Sequence, residues 1–302
     1  MYNGIINIYK EAGFTSHDVV AKLRGILKQK KIGHTGTLDP EAVGVLPVCL
    51  GKGTKVCDLL TDKDKVYETV MCLGVVTDTQ DMTGEVLSRS EVHVTQQMLE
   101  EVLEYFRGDY DQIPPMYSAL KVQGKKLYEL AREGKVVERQ ARRIHIFGLD
   151  LLQFDSDGIH VHMRVHCSKG TYIRTLCHDI GEKLGCGAAM EKLTRVQVGV
   201  FDIEHALTLS QVEEYVQSGK ADEIIRSVDS MFQMWPAGKT DATFDRLLYN
   251  GNMLYKNNVT IEDGGKPEDG RKYRIYDSQG QFCAVYVYNA RHKTFKNEKM
   301  FV

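Results

Sequence analysis

Apolar positions along this chain recur with two periods, and these outline most of its elements. Gly4–Tyr9 (GIINIY) is apolar enough for a short buried strand. Val19, Val20, Leu23, Ile26 and Leu27 then fall at helical spacing, with Ser16 placed as the cap and Lys22, Lys28 and Lys30 on the outer face. Lys65–Val75 alternates, setting Val66, Glu68, Val70 and Cys72 against Tyr67, Thr69, Met71 and Leu73. Thr95 caps a helix that turns Met98, Leu99, Val102, Leu103 and Phe106 inward. Gly158–Ser168 alternates again, with Ile159, Val161, Met163, Val165 and Cys167 inward and His160, His162, Arg164, His166 and Ser168 outward. Ile173, Leu176, Ile180 and Leu184 carry another helix, and Ser210 with Glu213 reads as a capping box for a later one. After Trp235-Pro236 the pattern shortens to apolar runs at 259–262, 272–277 and 281–289, separated by Gly-rich turns. That is the pattern of a small β-barrel. A chain of 302 residues accommodates one large domain, 1–234, and this small one, 235–302.

Charge adds a local feature. The net charge is only −2, which excludes a generally basic nucleic-acid binder. Basic residues nevertheless cluster. Lys22–Lys31 holds five with no acid, and residues 119–145 hold eight against Glu129, Glu133 and Glu138. Local basic faces on a near-neutral protein suit a shaped polyanion, although a solvated charged face is the plainer reading. The seven cysteines include no CxxC pair, which points to free thiols in a reducing compartment. No signal peptide is evident and no apolar run approaches the ~18 residues of a membrane span, so a cytoplasmic protein is expected. The outward histidines and Cys167 invite a zinc site, but positions along one strand run in a row and do not converge on one ion. VCLGKGTK is no nucleotide loop: six residues part Gly44 from Gly51 where a Walker loop needs four.

One stretch stands apart, Lys31–Lys55 (KIGHTGTLDPEAVGVLPVCLGKGTK). Pro40 pushes Asp39 out of helical space, and the apolar side chains of Val43, Val45, Leu46, Val48 and Leu50 anchor the loop in a core. An immobilised loop bearing an acid, the imidazole of His34 and the hydroxyls of Thr35 and Thr37 points to a reaction centre. The alternative is an ordinary turn in which Asp39 caps a backbone amide.

GHTGTLDP followed by GVLPVCLGKGTK resembles the catalytic loop of the TruB family of tRNA pseudouridine synthases, over about twenty-five residues. Three further strings extend the resemblance: KVYET with GVVTDTQDMTGEV, IPPMYSALKVQGKKLYELAREG at 113–134, and CSKGTYIRTLCHDIGEKLG at 167–185. The chain departs from the family at Lys10-Glu11, where Lys-Pro is usual. Residues 235–302 resemble in position the family's PUA-like appendage.

The resemblance implies an α/β (α+β) pseudouridine synthase fold with a central mixed, mostly antiparallel sheet flanked by helices. It implies isomerisation of the uridine at position 55 in the TΨC loop of tRNA, with no cofactor, metal or guide RNA, by a chain expected to be a monomer. Asp39 becomes the catalytic residue. Tyr67 stacks on the target base, Arg174 pairs with Asp39, Tyr172 lines the site, and Leu193 packs beneath the base. His34 takes the place left by the everted base. Asp78 and Asp81 read as turn residues. Arg291, His292, Lys293, Lys296 and Lys299 either grip phosphates or form a frayed tail. Two rivals stand beside this: the guide-RNA-dependent branch, which shares TLDP and GTYIRTL, and a non-enzymatic RNA-folding factor.

Overall fold

The structure is a computed structural model that describes residues 1–122, 124–262 and 264–302. Gln123 of the basic stretch and Asp263 of a Gly-rich turn lie outside the described residues. Seven strands form the main path of the central sheet, in the order Gly4–Lys10, Val43–Leu50, Ala188–Val198, Lys65–Leu73, His160–Cys167, Arg142–Phe154 and Gly108–Gln112. Ile32–His34 pairs beside Val43–Leu50, and Phe201–Asp202 beside Ala188–Val198. Every pairing is antiparallel except one, where Thr194 and Arg195 run parallel to Val43 and Gly44. The sheet is therefore mixed and mostly antiparallel, as expected.

That parallel seam explains one glycine. Gly44 has φ +105°, and a Cβ there would stand 2.3 Å from the Arg195 carbonyl oxygen. Only a residue without a side chain lets the two backbones meet so closely.

Helices cover the sheet where the periodicity placed their apolar faces. Ser16–Ile26 and Leu209–Gln217 bury Val19, Val20, Leu23, Leu209 and Val212 against Ile6, Ile8, Leu46 and Val48. Gln96–Tyr105 and Ile173–Leu184 bury Leu99, Leu103, Ile173, Leu176 and Ile180 against Met71, Val161, Met163 and Val165. No helix among the described residues is long and apolar enough to cross a membrane.

Several local expectations are corrected. The first helix is capped by Thr15, whose hydroxyl accepts from Asp18 N–H while the Asp18 carboxylate accepts from Thr15 N–H. Ser16 lies inside the helix, buried, and its hydroxyl accepts from Leu38 N–H at 2.9 Å. The later capping box is Thr208 with Gln211, not Ser210 with Glu213, because the helix starts at Leu209. Met98 is exposed, leaving Leu99 and Leu103 to hold that helix. Ile159 is exposed because its strand begins at His160. Thr294–Met300 is a strand paired with Phe282–Asn289 and not a frayed tail.

Residues beyond Trp235 form a six-stranded, nearly closed barrel-like sheet around Tyr273, Ile275, Tyr286 and Phe295. It does not hang free. Val285 and Phe301 pack with Ile5, Val45, Phe201 and Phe232, and the Trp235 ring stacks on Phe232 at 5.2 Å.

Candidate active site

Asp39 sits on the connection between the strands Ile32–His34 and Val43–Leu50. The connection has no regular structure, yet its backbone is anchored at each step. Thr35 donates from both its N–H and its hydroxyl to the Pro47 carbonyl, at 3.2 and 3.1 Å. Leu38 N–H donates to Ser16 Oγ. The Pro40 carbonyl accepts from Gly13 N–H at 3.1 Å and from the Lys10 ammonium at 2.8 Å. Lys10 is fully buried and donates also to the Glu11 and Phe14 carbonyls. Burial pulls its ammonium down to about 8. The buried lysine thus ties the first strand to the residue next to Asp39.

Arg174 approaches from the other half of the chain, in the first turn of Ile173–Leu184. Two residues ahead of it, Tyr172 is held at its backbone by Gln112, which accepts from Tyr172 N–H at 2.8 Å and donates to its carbonyl at 3.0 Å. The guanidinium meets Asp39 at two points: Nε to Oδ2 at 3.0 Å and Nη2 to Oδ1 at 3.3 Å. Its other donors are used as well. Nη2 donates to the Tyr117 carbonyl at 2.9 Å, Nη1 donates to the Thr79 carbonyl at 3.1 Å, and Nη1 lies 3.5 Å from Asp81 Oδ2. The Arg174 side chain is 6% exposed and that of Asp39 42%. A buried cation with its donors occupied therefore orients a carboxylate that remains open to a ligand.

The expected aromatic and apolar groups assemble nearby. Tyr67 and Leu193 are buried on neighbouring strands, in one cluster with Leu38, Ala42 and Ile173. Burial raises the Tyr67 phenol, and the charge of Arg195 opposes that rise. Burial likewise raises Tyr172, against the charges of Arg142 and Arg174. His34 ends the short strand that leads into the loop, and its ring meets His17 edge-on at 5.5 Å. Burial and the charges of His17 and Arg195 lower it, which favours a neutral imidazole. No hydrogen bond among the described residues joins His34 to Asp39, so it stands at the mouth of the loop and not within the acid–guanidinium pair.

Two participants escaped the sequence reading. Asp81 braces its own turn, its Oδ1 accepting from Thr79 Oγ1 and Thr83 N–H, yet its second oxygen faces Arg174. Asp78 has the structural role expected, accepting from Glu85 N–H in its own turn and from the hydroxyl of Tyr117, 39 positions on. Arg195 is 1% exposed, and its Nε donates to the Val45 carbonyl at 2.7 Å and its Nη1 to the Thr37 carbonyl at 3.3 Å. The one available signal was a lone cation inside the apolar strand pattern of Leu193–Val198.

The outward row of histidines is paired with acids. His160 faces Asp157 and Glu191, His162 faces Asp155, His166 faces Asp64, and Arg164 faces Glu68. It is a salt-bridged sheet face and does not present free positive charge.

Residues 24–173 match the family model for TruB family pseudouridylate synthase (N terminal domain), and residues 174–233 match that for the tRNA pseudouridylate synthase B C-terminal domain. The chain belongs to the TruB family. It is a pseudouridine synthase by that membership. It is 53% identical to the tRNA pseudouridine synthase B of Lachnoclostridium phytofermentans, over 99% of this chain and 100% of that protein. Identity is 44% to the Clostridium perfringens (strain SM101 / Type A) protein of the same name, over 99% of each chain. It is 42% to that of Staphylococcus aureus (strain MSSA476), over 100% of each. Among solved structures, a chain of a Cbf5-Nop10-Gar1 complex aligns with a TM-score of 0.72 and 27% identity, covering 99% of this chain and 85% of that one. A chain of an H/ACA RNP bound to a substrate RNA containing 2'-deoxyuridine aligns with a TM-score of 0.71 and 25% identity, at the same coverages. The loop with Asp39 falls within the first matched segment, and Arg174 is the first residue of the second.

Proposed function

We propose that this TruB-family enzyme converts the uridine at position 55 of the tRNA TΨC loop to pseudouridine, working alone, as a monomer in the cytoplasm, without guide RNA. The observation that carries the reading is the two-point contact between open Asp39 and buried Arg174. The N1–C1′ bond of the nucleotide breaks, the uracil turns, and C5 joins C1′. The proton lost from C5 is balanced by the one gained at N1. Nothing is oxidised or reduced, and no cofactor or metal is called for.

The target base must leave its stack, at a cost of roughly a few kcal/mol. Asp39 is the ionised group that acts on the nucleotide, and Arg174 orients it. Tyr67 stacks on the everted base and its phenol relays the C5 proton. Tyr172 and Leu193 shape the pocket, and His34 fills the gap left in the RNA. Residues 235–302 serve as a PUA-like RNA-binding unit. Its last hairpin exposes Arg291, His292, Lys293 and Lys296 for phosphate contacts.

The test is incubation of the purified protein with an unmodified tRNA transcript and no guide RNA, followed by pseudouridine mapping. The expected result is one conversion, in the T loop. Binding without conversion would overturn the enzymatic reading, and conversion only with an added guide would overturn the stand-alone one.

A further inference from the structure

Arg195 is a fully buried cation with no carboxylate at ion-pair distance among the described residues. Burying a guanidinium this way is costly, and an apolar residue of similar volume would serve packing better. Its hydrogen bonds are incomplete as well. Nε and Nη1 are satisfied by the carbonyls of Val45 and Thr37, but Nη2 is buried with no hydrogen-bond partner. Directly across the sheet Arg195 is in register with Tyr67. The charge of Arg195 opposes the rise that burial causes in the Tyr67 phenol, and it also reaches Lys10, His34 and Lys65.

We infer that Arg195 is a positioning residue, which aims and polarises the Tyr67 phenol from beneath the site. The two carbonyl bonds hold the guanidinium still, and Nη2, which has no other partner, is the edge left to act on the phenol of the register neighbour Tyr67. This explains why a charge is kept where packing alone would favour an apolar side chain. The inference rests on Tyr67 having the proton-relaying role proposed for it. Arg195 also ties the Asp39 loop through the Thr37 carbonyl, beside the loop's separate anchors at Pro47, Ser16 and Lys10, and a loss running through the loop would multiply with that of Tyr67→Phe.

The test is a double-mutant cycle read as kcat and KM on a tRNA transcript, using wild type, Tyr67→Phe, Arg195→Met and the double variant. Arg195→Met is expected to lower kcat at least about tenfold with KM changed less than about threefold. In the Tyr67→Phe background the same change should cost less than about threefold more. Thermal melting and tRNA affinity establish folding. If Arg195→Met does not fold, Arg195→Lys takes its place in the cycle; it keeps the charge but not the fork, so its kcat should also fall. A loss that multiplies in full with that of Tyr67→Phe, a loss confined to KM, or a wild-type kcat in Arg195→Lys overturns the inference. A wild-type kcat in Tyr67→Phe instead overturns the role given to Tyr67, so the two failures are distinct.

Discussion

Arg174 Nε lies 3.0 Å from Asp39 Oδ2, although the two residues are 135 positions apart in the chain. The pair is asymmetric. The cation is closed in by Asp39, Asp81 and the carbonyls of Thr79 and Tyr117, whereas the acid keeps an open edge. Such an ion pair contributes direction more than stability, because the energy of a partly solvated pair is modest.

Asp39→Asn preserves the shape of the side chain and removes its charge. Pseudouridine formation on a T-arm substrate should fall below detection while RNA affinity stays within about threefold, since the remaining contacts are intact. Appreciable turnover in a mapped time course would remove Asp39 from the chemistry.

Arg174→Lys replaces a planar fork with a point charge. One ammonium cannot serve both Asp39 oxygens and the carbonyls of Thr79 and Tyr117. Losing one charge-assisted bond costs about 1.5–3 kcal/mol, so kcat should drop about 10- to 100-fold. A wild-type rate would mean the pairing is not used.

Asp81→Asn removes the second carboxylate facing Arg174 while keeping an oxygen for Thr79 and Thr83. A partly buried pair at 3.5 Å is worth about 1 kcal/mol, so kcat should fall about three- to tenfold with tRNA affinity unchanged. Equal kinetics in the two proteins would reduce Asp81 to a turn residue.

Asp179 gives a prediction about stability. Burial, helped by the charge of Glu182, pushes its carboxyl up to about 6 from 3.8. The folded value lies above the unfolded one, so the associated stability is present below pH 3.8 and is lost as pH rises through about 6. Asp179→Asn mimics the protonated form. It should leave Tm unchanged near pH 4 and raise it by about 2–4 °C at pH 7.5. Thermal melts at the two pH values measure this, and a Tm that falls at pH 7.5 would contradict the assigned cause.

Periodicity placed the strand of Tyr67 and the helix of Arg174, and Pro40 with the apolar run after it placed the anchored loop of Asp39, because each pattern spans adjacent residues of one element. It missed the capping residue of the first helix. Thr15 and Ser16 are adjacent hydroxyls, and only the distant Leu38 amide draws Ser16 inward. It also left Thr294–Met300 without an element, since its polar residues form a strand by pairing with the edge of Phe282–Asn289.

The site divides in the same way. An acid in a rigid, anchored loop and the family to which the chain belongs were present in the linear string. The contact of Asp39 with Arg174, the turn of Asp81 towards that same guanidinium, and the burial of Arg195 in register with Tyr67 on the neighbouring strand were not. Those depend on which strands lie side by side and in what register, and hydrogen bonding between strands sets that over separations far longer than any local pattern reaches.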